Sequence, residues 1–375
     1  MILVGEEETK RTEYMRRAAS EEGEAFSLVR WSQVHGTDDI FQKSSTDRHA
    51  QGAAVKLDPP LCQDTVLQDN VRSMEDYCGK LAACRGSGQV TGQEDAGQGG
   101  SLYSRTQVCY LNEPEGILQL LDKQKVKQVL DSHTIPATKM YKESFLTAGE
   151  LLMWMKSERV SAVFIKPRYF SGAAGVTAFR CNPATGRMIA YTSCCLEEGR
   201  LINTKHLYSL SKEEEILPLL DCLLAIGCIV ERWHGKDVVR RGRREIVYDL
   251  RVVWQFGHIA YLVARGSAGP ITNLHLNNGA LPVEELGLSD KMLQEVEQLC
   301  REAVSCFEGI RVAGIDVLLE KGSHRPLIIE MNGQGDLIYQ DIYDKNSIYK
   351  EQIKWLRQHS PAGDMERMNC QGGLG

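Results

Sequence analysis

Two apolar runs near the C-terminal end, Val312–Glu320 and Leu327–Met331, flank the polar stretch KGSHR and read as a β-hairpin. Each run carries an acid inside an apolar pattern, Asp316 in AGIDVLL and Glu330 in LIIEMN. Alternation along a strand puts Glu330 and Asn332 on one side. A turn centred on Ser323 sets Asp316 directly opposite Glu330. Like charges facing each other across a ladder are destabilising unless something positive lies between them. All three side chains are hard oxygen donors, and a small oxygen-only site that leaves places for water and phosphate suits Mg2+. The plainer alternative, acids at solvated strand ends, conflicts with the apolar flanks.

Other segments could serve the same chemistry. Lys166 ends the apolar strand Val163–Lys166, and a lysine there costs desolvation unless an anion accompanies it. The loop RYFSGAAGV (168–176) follows, and Ser171, Gly172, Ala173, Ala174 and Gly175 are small enough for backbone N–H groups to approach phosphate oxygens. No Gly-Lys-Ser/Thr follows, so this is not a Walker A loop. Taken alone, Lys166 reads better as an exposed lysine before a turn, and Lys123 as a solvated helix residue. Cys228–Glu231 is an apolar strand ending in an acid, with Asp237 six residues on. A purine could stack there while strand-end backbone groups read its edge, and Asp237 could accept from ribose hydroxyls. A surface strand end fits that local pattern equally well.

The chain has 375 residues, 42% hydrophobic and 25% charged, long enough for two or three domains. A net charge of −6 argues against a nucleic-acid partner; the basic run at Arg240–Arg244 reads first as a solvated hairpin tip. The start MILVGEEETKRTEYMRR is too short in apolar residues for a signal peptide, and no stretch reaches the roughly 18 apolar residues of a membrane span. Twelve cysteines without a CxxC pair fit buried free thiols in a reducing cytoplasm, which is the expected location.

Met1–Gly5, Glu13–Glu22 and Ala25–Trp31 read as strand, helix and strand, the start of a small parallel sheet. A helical pattern over about 63–81 completes an N-terminal domain, 1–84. Residues 85–107 are rich in Gly, Ser and Gln and read as a flexible loop or linker. From Asn112 to His133 one amphipathic helix is expected, and further helices at Ala148–Ser157, Glu213–Ala225 and Asp290–Phe307. Ile246–Gln255 and Ile259–Arg265 form a second hairpin. The pieces divide as 108–235 and 236–360, with a frayed tail at 361–375.

Taken in order, Leu121–Asp122–Lys123, Ile165–Lys166–Pro167 with its small-residue loop, Val230–Glu231, Asp249–Leu250–Arg251, Thr272–Asn273, Gly314–Ile315–Asp316 and Ile329–Glu330–Met331–Asn332 resemble the ATP-grasp superfamily. The nearest flavour is the glutamate-ligase and D-alanine–D-alanine-ligase type of carboxylate–amine ligase. Each motif is short; seven in order, over roughly two thirds of the chain, are specific. The resemblance implies an α/β (α+β) chain, an ATP-grasp fold preceded by a parallel βαβ pre-ATP-grasp domain. It implies ATP bound by Lys123 and Lys166, a loop including Ser171, Gly172 and Gly175 closing over the phosphates, Val230 and Glu231 at the adenine, and Asp237 at the ribose. It further implies one or two Mg2+ ions on Asp316, Glu330 and Asn332, with Arg251 and Arg265 near phosphate or the acyl intermediate. Gln334, Gly335 and Asp336 would border the acceptor, although a tight turn after the strand explains them as well. The implied activity is an ADP-forming carboxylate–amine ligase acting on a small molecule, an amino acid or a peptide, and a homodimer is compatible with it. A kinase phosphorylating a small-molecule hydroxyl and a non-catalytic nucleotide-binding protein are the competing readings.

Overall fold

A computed structural model describes residues 1–42, 53–61, 65–85, 108–141, 143–334 and 338–360. The expected linker from residue 86 onward and the expected tail lie outside the described residues. The chain divides into two compact units, one of residues 1–61, 77–118 and 334–375, the other of 62–76 and 119–333.

The first unit is built on a parallel sheet. Strands β1 (Ile2–Gly5), β2 (Ser27–Arg30), β3 (Ala53–Leu57) and β4 (Val108–Tyr110) are ordered β2-β1-β3-β4, all parallel. Helix α1 (Lys10–Glu21) begins three residues before the expected start, because Thr9 caps it by accepting from the Thr12 amide. Helices α2 (Thr37–Gln42) and α3 (Leu67–Ala83) follow, and α3 supplies residues to both units.

The expected single helix over 112–133 is two helices, α4 (Pro114–Leu121) and α5 (Lys123–Ser132). Asp122 leaves helical geometry between them, and its carboxylate accepts from the Gln124 and Lys125 amides as the N-cap of α5. Lys123 is therefore a first-turn residue held at a fixed angle.

The second unit carries two antiparallel sheets. The smaller has the order β8-β7-β6-β5-β9, from β5 (Ala162–Pro167), β6 (Thr177–Cys181), β7 (Met188–Glu197), β8 (Arg200–Leu210) and β9 (Cys228–Arg232). Its apolar face takes α6 (Ala148–Ser157) and α7 (Glu213–Ala225) in one core that includes Leu151, Met155, Val163, Ile165, Leu220 and Val230. The β7–β8 hairpin is not legible as strands in the sequence, since β8 lacks a clean alternation. Its two-residue turn, Glu198–Gly199, has both φ angles positive, which matches the twist of a hairpin.

The larger sheet has β10 (Val238–Arg241), β11 (Arg244–Gln255), β12 (His258–Ser267), β13 (Gly279–Leu281), β14 (Val312–Leu319) and β15 (Pro326–Asn332), ordered β13-β12-β11-β14-β15 with β10 also on β11. Helix α8 (Asp290–Ser305) buries Val296, Leu299, Cys300, Ala303 and Val304, spaced as one helical stripe. They pack on Tyr248, Leu250, Val252, Ile315 and Val317, together with Val126 and Leu130 of α5. Strand alternation then forces Asp249, Arg251, Asp316 and Glu330 onto the opposite face. After β15 the chain returns to the first unit with α9 (Tyr339–Asp344) and α10 (Ser347–His359), so the expected piece 236–360 is not one unit. Among the described residues every cysteine is free, and no helix is long and apolar enough to cross a membrane.

Gly266 sits where β12 runs under its neighbours. A Cβ there would lie 2.6 Å from Leu281 Cδ1 and 2.9 Å from Ile246 Cγ2. Gly266→Ala is therefore expected to lose roughly 1–3 kcal/mol through overpacking, read as a lower urea midpoint with unchanged slope.

Candidate active site

The polar face of the larger sheet brings the two acids of the C-terminal hairpin together. Asp316 and Glu330 are cross-strand partners, and Asn332 is opposite Gly314. The pairing depends on a bulge. Val317 opposes Ile328, so Ile329 is extra, and without it Glu330 would slip out of register with Asp316. Positive groups separate the two acids. Arg251, opposite Asp316 on β11, donates to its Oδ1, and Arg265 reaches Oδ2 at 2.8 Å. Lys123 Nζ lies 3.3 Å from Glu330 Oε1 and donates to the Phe170 carbonyl.

Arg265 is itself held by an acid. Its Nε donates to Asp249 Oδ1 at 2.7 Å, and the other Asp249 oxygen accepts from Lys236 at 2.9 Å and from Thr272. Burial opposes the charge on Asp249, but Arg265 and Lys236 outweigh it and hold the carboxyl well below the usual range. Burial likewise lowers Arg265, and Asp249 and Asp316 more than restore it. At Glu330, Lys123, Lys166 and Arg251 overcome burial and lower the carboxyl.

A second knot joins the two sheets. Lys166 Nζ donates to Glu231 Oε2 at 2.8 Å, and Lys127 Nζ lies 3.6 Å from Oε1. Lys127 also donates to Thr138 Oγ1 at 2.6 Å and to the Ile328 carbonyl at 3.2 Å. Burial lowers the Lys127 ammonium to about 8, against the opposing pull of Glu231. Burial raises Glu231, yet Lys127 and Lys166 bring it below its ordinary value.

The loop after β5 folds back toward Lys123. The Lys123 amide donates to the Arg168 carbonyl, and Arg168 Nε donates to Asp122 at 2.7 Å. Gly172, Ala173 and Gly175 all have positive φ, and Ala173 holds this strained geometry with a Cβ. Ser171 and Gly172 are exposed. Gly175 is buried, and a Cβ there would lie 2.9 Å from Leu67 and Pro167, so packing requires this glycine.

Several expected residues sit elsewhere or do something else. The Asp237 carboxylate accepts from the Val238 amide and the Tyr248 hydroxyl and meets His324 Nδ1 at 2.6 Å. It faces the Tyr248 side of the sheet, away from Asp249, and Lys236 takes the polar side because neighbouring strand residues point oppositely. The Val230 carbonyl accepts from the Tyr141 amide at 2.9 Å and the Arg232 amide donates to Lys139 at 2.8 Å, so this edge of β9 is already covered. The Glu231 side chain serves the lysines. Gln334 belongs to the first unit, where its amide donates to the Leu57 carbonyl and the Tyr77 hydroxyl. Gly335 and Asp336 lie outside the described residues.

No family model and no curated protein matches the sequence. Solved structures do match along nearly the whole length. The ATP-grasp ligase PsnB complexed with a minimal precursor aligns with a TM-score of 0.51 at 12% identity, covering 95% of this chain and 97% of that one. The macrocyclase MdnC from Microcystis aeruginosa MRC, bound with precursor peptide MdnA, aligns at 0.51 and 11%, covering 95% and 99%. D-alanine–D-alanine ligase from Bacillus anthracis aligns at 0.50 and 10%, covering 99% and 98%. The chain has the ATP-grasp fold.

The sequence motifs do not point to Lys127 or Lys236. A signal for each was present. Lys127 is four residues after Lys123 and shares its helix face, and Lys236 precedes an acid in the short run that leads into β10. Among the described residues, no group of three or more His, Cys, Asp or Glu forms a metal cluster; the expected metal set has two acids and an amide.

Glu231→Gln leaves two buried lysines without their anion and is expected to cost roughly 3–5 kcal/mol, measured by urea denaturation; a loss under about 1 kcal/mol would show that the knot is solvated. Lys127 gives a pH signature. Its folded value of about 8 lies below the ordinary 10.5, so between these the unfolded chain holds a proton that the fold does not. Stability from this residue therefore rises with pH across that window. The gain should be visible in the native chain and absent in Lys127→Met when both are unfolded between pH 7.5 and 10.5.

Proposed function

We propose that this polar face binds ATP with Mg2+ and activates a substrate carboxylate for attack by an amine. The observation that carries this reading is the crowding of cations on one face. Lys123, Lys127, Lys166, Lys236, Arg251 and Arg265 gather around Glu231, Glu330, Asp249 and Asp316. Cations removed from water are costly unless anions accompany them, and a polyphosphate can take over part of that pairing.

The donor set fits Mg2+ in kind. Glu330 and Asn332 offer hard oxygens, and Asp316 can join as its guanidinium partners turn to an incoming phosphate. Bound there, the metal would neutralise phosphate charge. Lys123 and Lys166 would bind phosphate oxygens, with Lys127 and Glu231 orienting Lys166. The exposed amides of the Ser171–Gly172 segment would cover the phosphates and exclude water. The substrate carboxylate oxygen attacks the γ-phosphorus as the bond to the ADP oxygen breaks. An amine then attacks the acyl phosphate, loses a proton and expels phosphate, while Arg251 and Arg265 stabilise the oxyanion. In this reading Asp237 has no part at the ribose, because its carboxylate is engaged on the other side of the sheet. The precursor-peptide complexes of PsnB and MdnC support a peptide or amino-acid substrate.

Incubation with Mg2+·ATP and pooled carboxylates and amines should release ADP only when both substrate types are present. Glu330→Gln is expected to lower turnover by at least about a hundredfold in a chain that still folds, as read by its circular dichroism. Absence of calorimetric ADP binding by the folded protein would overturn the proposal.

A further inference from the structure

The small sheet carries an open cavity at its β9 edge. Glu231 and Lys166 occupy one face of β9 and β5, while Val230, Val163 and Ile165 occupy the other. Along the edge of β9 the segment Lys139–Tyr141 runs antiparallel, through the Tyr141 amide to the Val230 carbonyl and the Arg232 amide to the Lys139 carbonyl. Between this segment and α6 lies a cavity of about 400 Å3, lined by Lys139, Met140, Tyr141, Glu143, Trp154, Glu158 and Val160. That volume is within the range of small-ligand pockets, roughly 300–1,000 Å3.

Its chemistry is divided. Tyr141 and Trp154 meet edge to face at 4.7 Å between centroids, and with Met140 and Val160 they make an apolar wall. The Trp154 indole N–H is buried and has no acceptor among the described residues. Lys139, Glu143 and Glu158 bring charges of both signs to the same cavity. Lys139 lies over the Tyr141 ring at 5.6 Å, and none of the three makes an ion pair among the described residues. All three are exposed, and a ligand carrying both charges can replace the water around them.

We propose that this cavity binds a zwitterionic α-amino acid with an apolar or aromatic side chain. Lys139 takes the ligand carboxylate, Glu143 and Glu158 take its ammonium, and Tyr141, Trp154, Met140 and Val160 receive the side chain. The site does not depend on the nucleotide reading, since its charged residues, Lys139, Glu143 and Glu158, belong neither to the lysine knot nor to the mesh around Asp316 and Glu330.

The test is calorimetric titration of the full chain with L-phenylalanine, L-leucine, L-methionine and L-tryptophan. Phenethylamine and 3-phenylpropionate serve as half-charged controls. At least one amino acid should saturate a single site on the order of 1 mM or tighter, with each half-charged control about tenfold weaker. Lys139→Met and the double variant Glu143→Gln/Glu158→Gln should each weaken binding about tenfold, while Lys166→Met leaves it unchanged. No saturable binding of any of the four would overturn the proposal. So would half-charged analogues that bind equally well, or binding lost in Lys166→Met and kept in Lys139→Met. ADP titrated into the same samples separates this result from the nucleotide site, because Lys139→Met should bind ADP as the native chain does.

Discussion

The opposition of Asp316 and Glu330 across β14 and β15 organises the whole polar face. Two carboxylates held at cross-strand distance repel unless cations enter between them, and here Arg251, Arg265 and Lys123 do so. Each of these cations creates a further requirement. Arg265 is buried and needs Asp249, and Asp249 in turn takes Lys236 and Thr272. The result is a mesh in which acids and cations partner one another across strands.

A buried ion-pair network built for stability alone gains little over apolar packing. This one lies beside a strained loop. Ala173 holds a positive φ there, and the Phe170 carbonyl is tied to Lys123 rather than to the loop itself. A positive φ at a residue with a Cβ costs stability.

The two sides of the larger sheet explain how such a surface coexists with a stable core. Tyr248, Leu250, Val252, Ile315 and Val317 fill one side against α8, and their strand neighbours carry the charges on the other. The Ile329 bulge lets β15 keep Ile328 and Met331 in the core while Glu330 stays opposite Asp316. A regular ladder cannot meet both demands, because a shift of one residue exchanges the faces.

The sequence by itself determined what alternation and local capping control. The C-terminal hairpin, the Asp316–Glu330 opposition, the parallel start of the chain and the small-residue loop after Lys166 were all legible, because strand period and turn chemistry are local. Tertiary structure alone decided which neighbour each charge would meet. Asp237 was legible as an acid near a strand end, but its pairing with Tyr248 and His324 depends on the register of β10 with β11 and on the turn of another hairpin. Glu231 was legible as the end of a buried strand, yet its two lysines come from β5 and from α5, 65 and 104 positions away in the chain. Gly175 was legible as a small loop residue, but that Leu67 and Pro167 leave no room for a Cβ there depends on α3 and β5. Charge partners across elements are fixed by packing, and packing is the sum of many distant contacts that no short stretch of sequence contains.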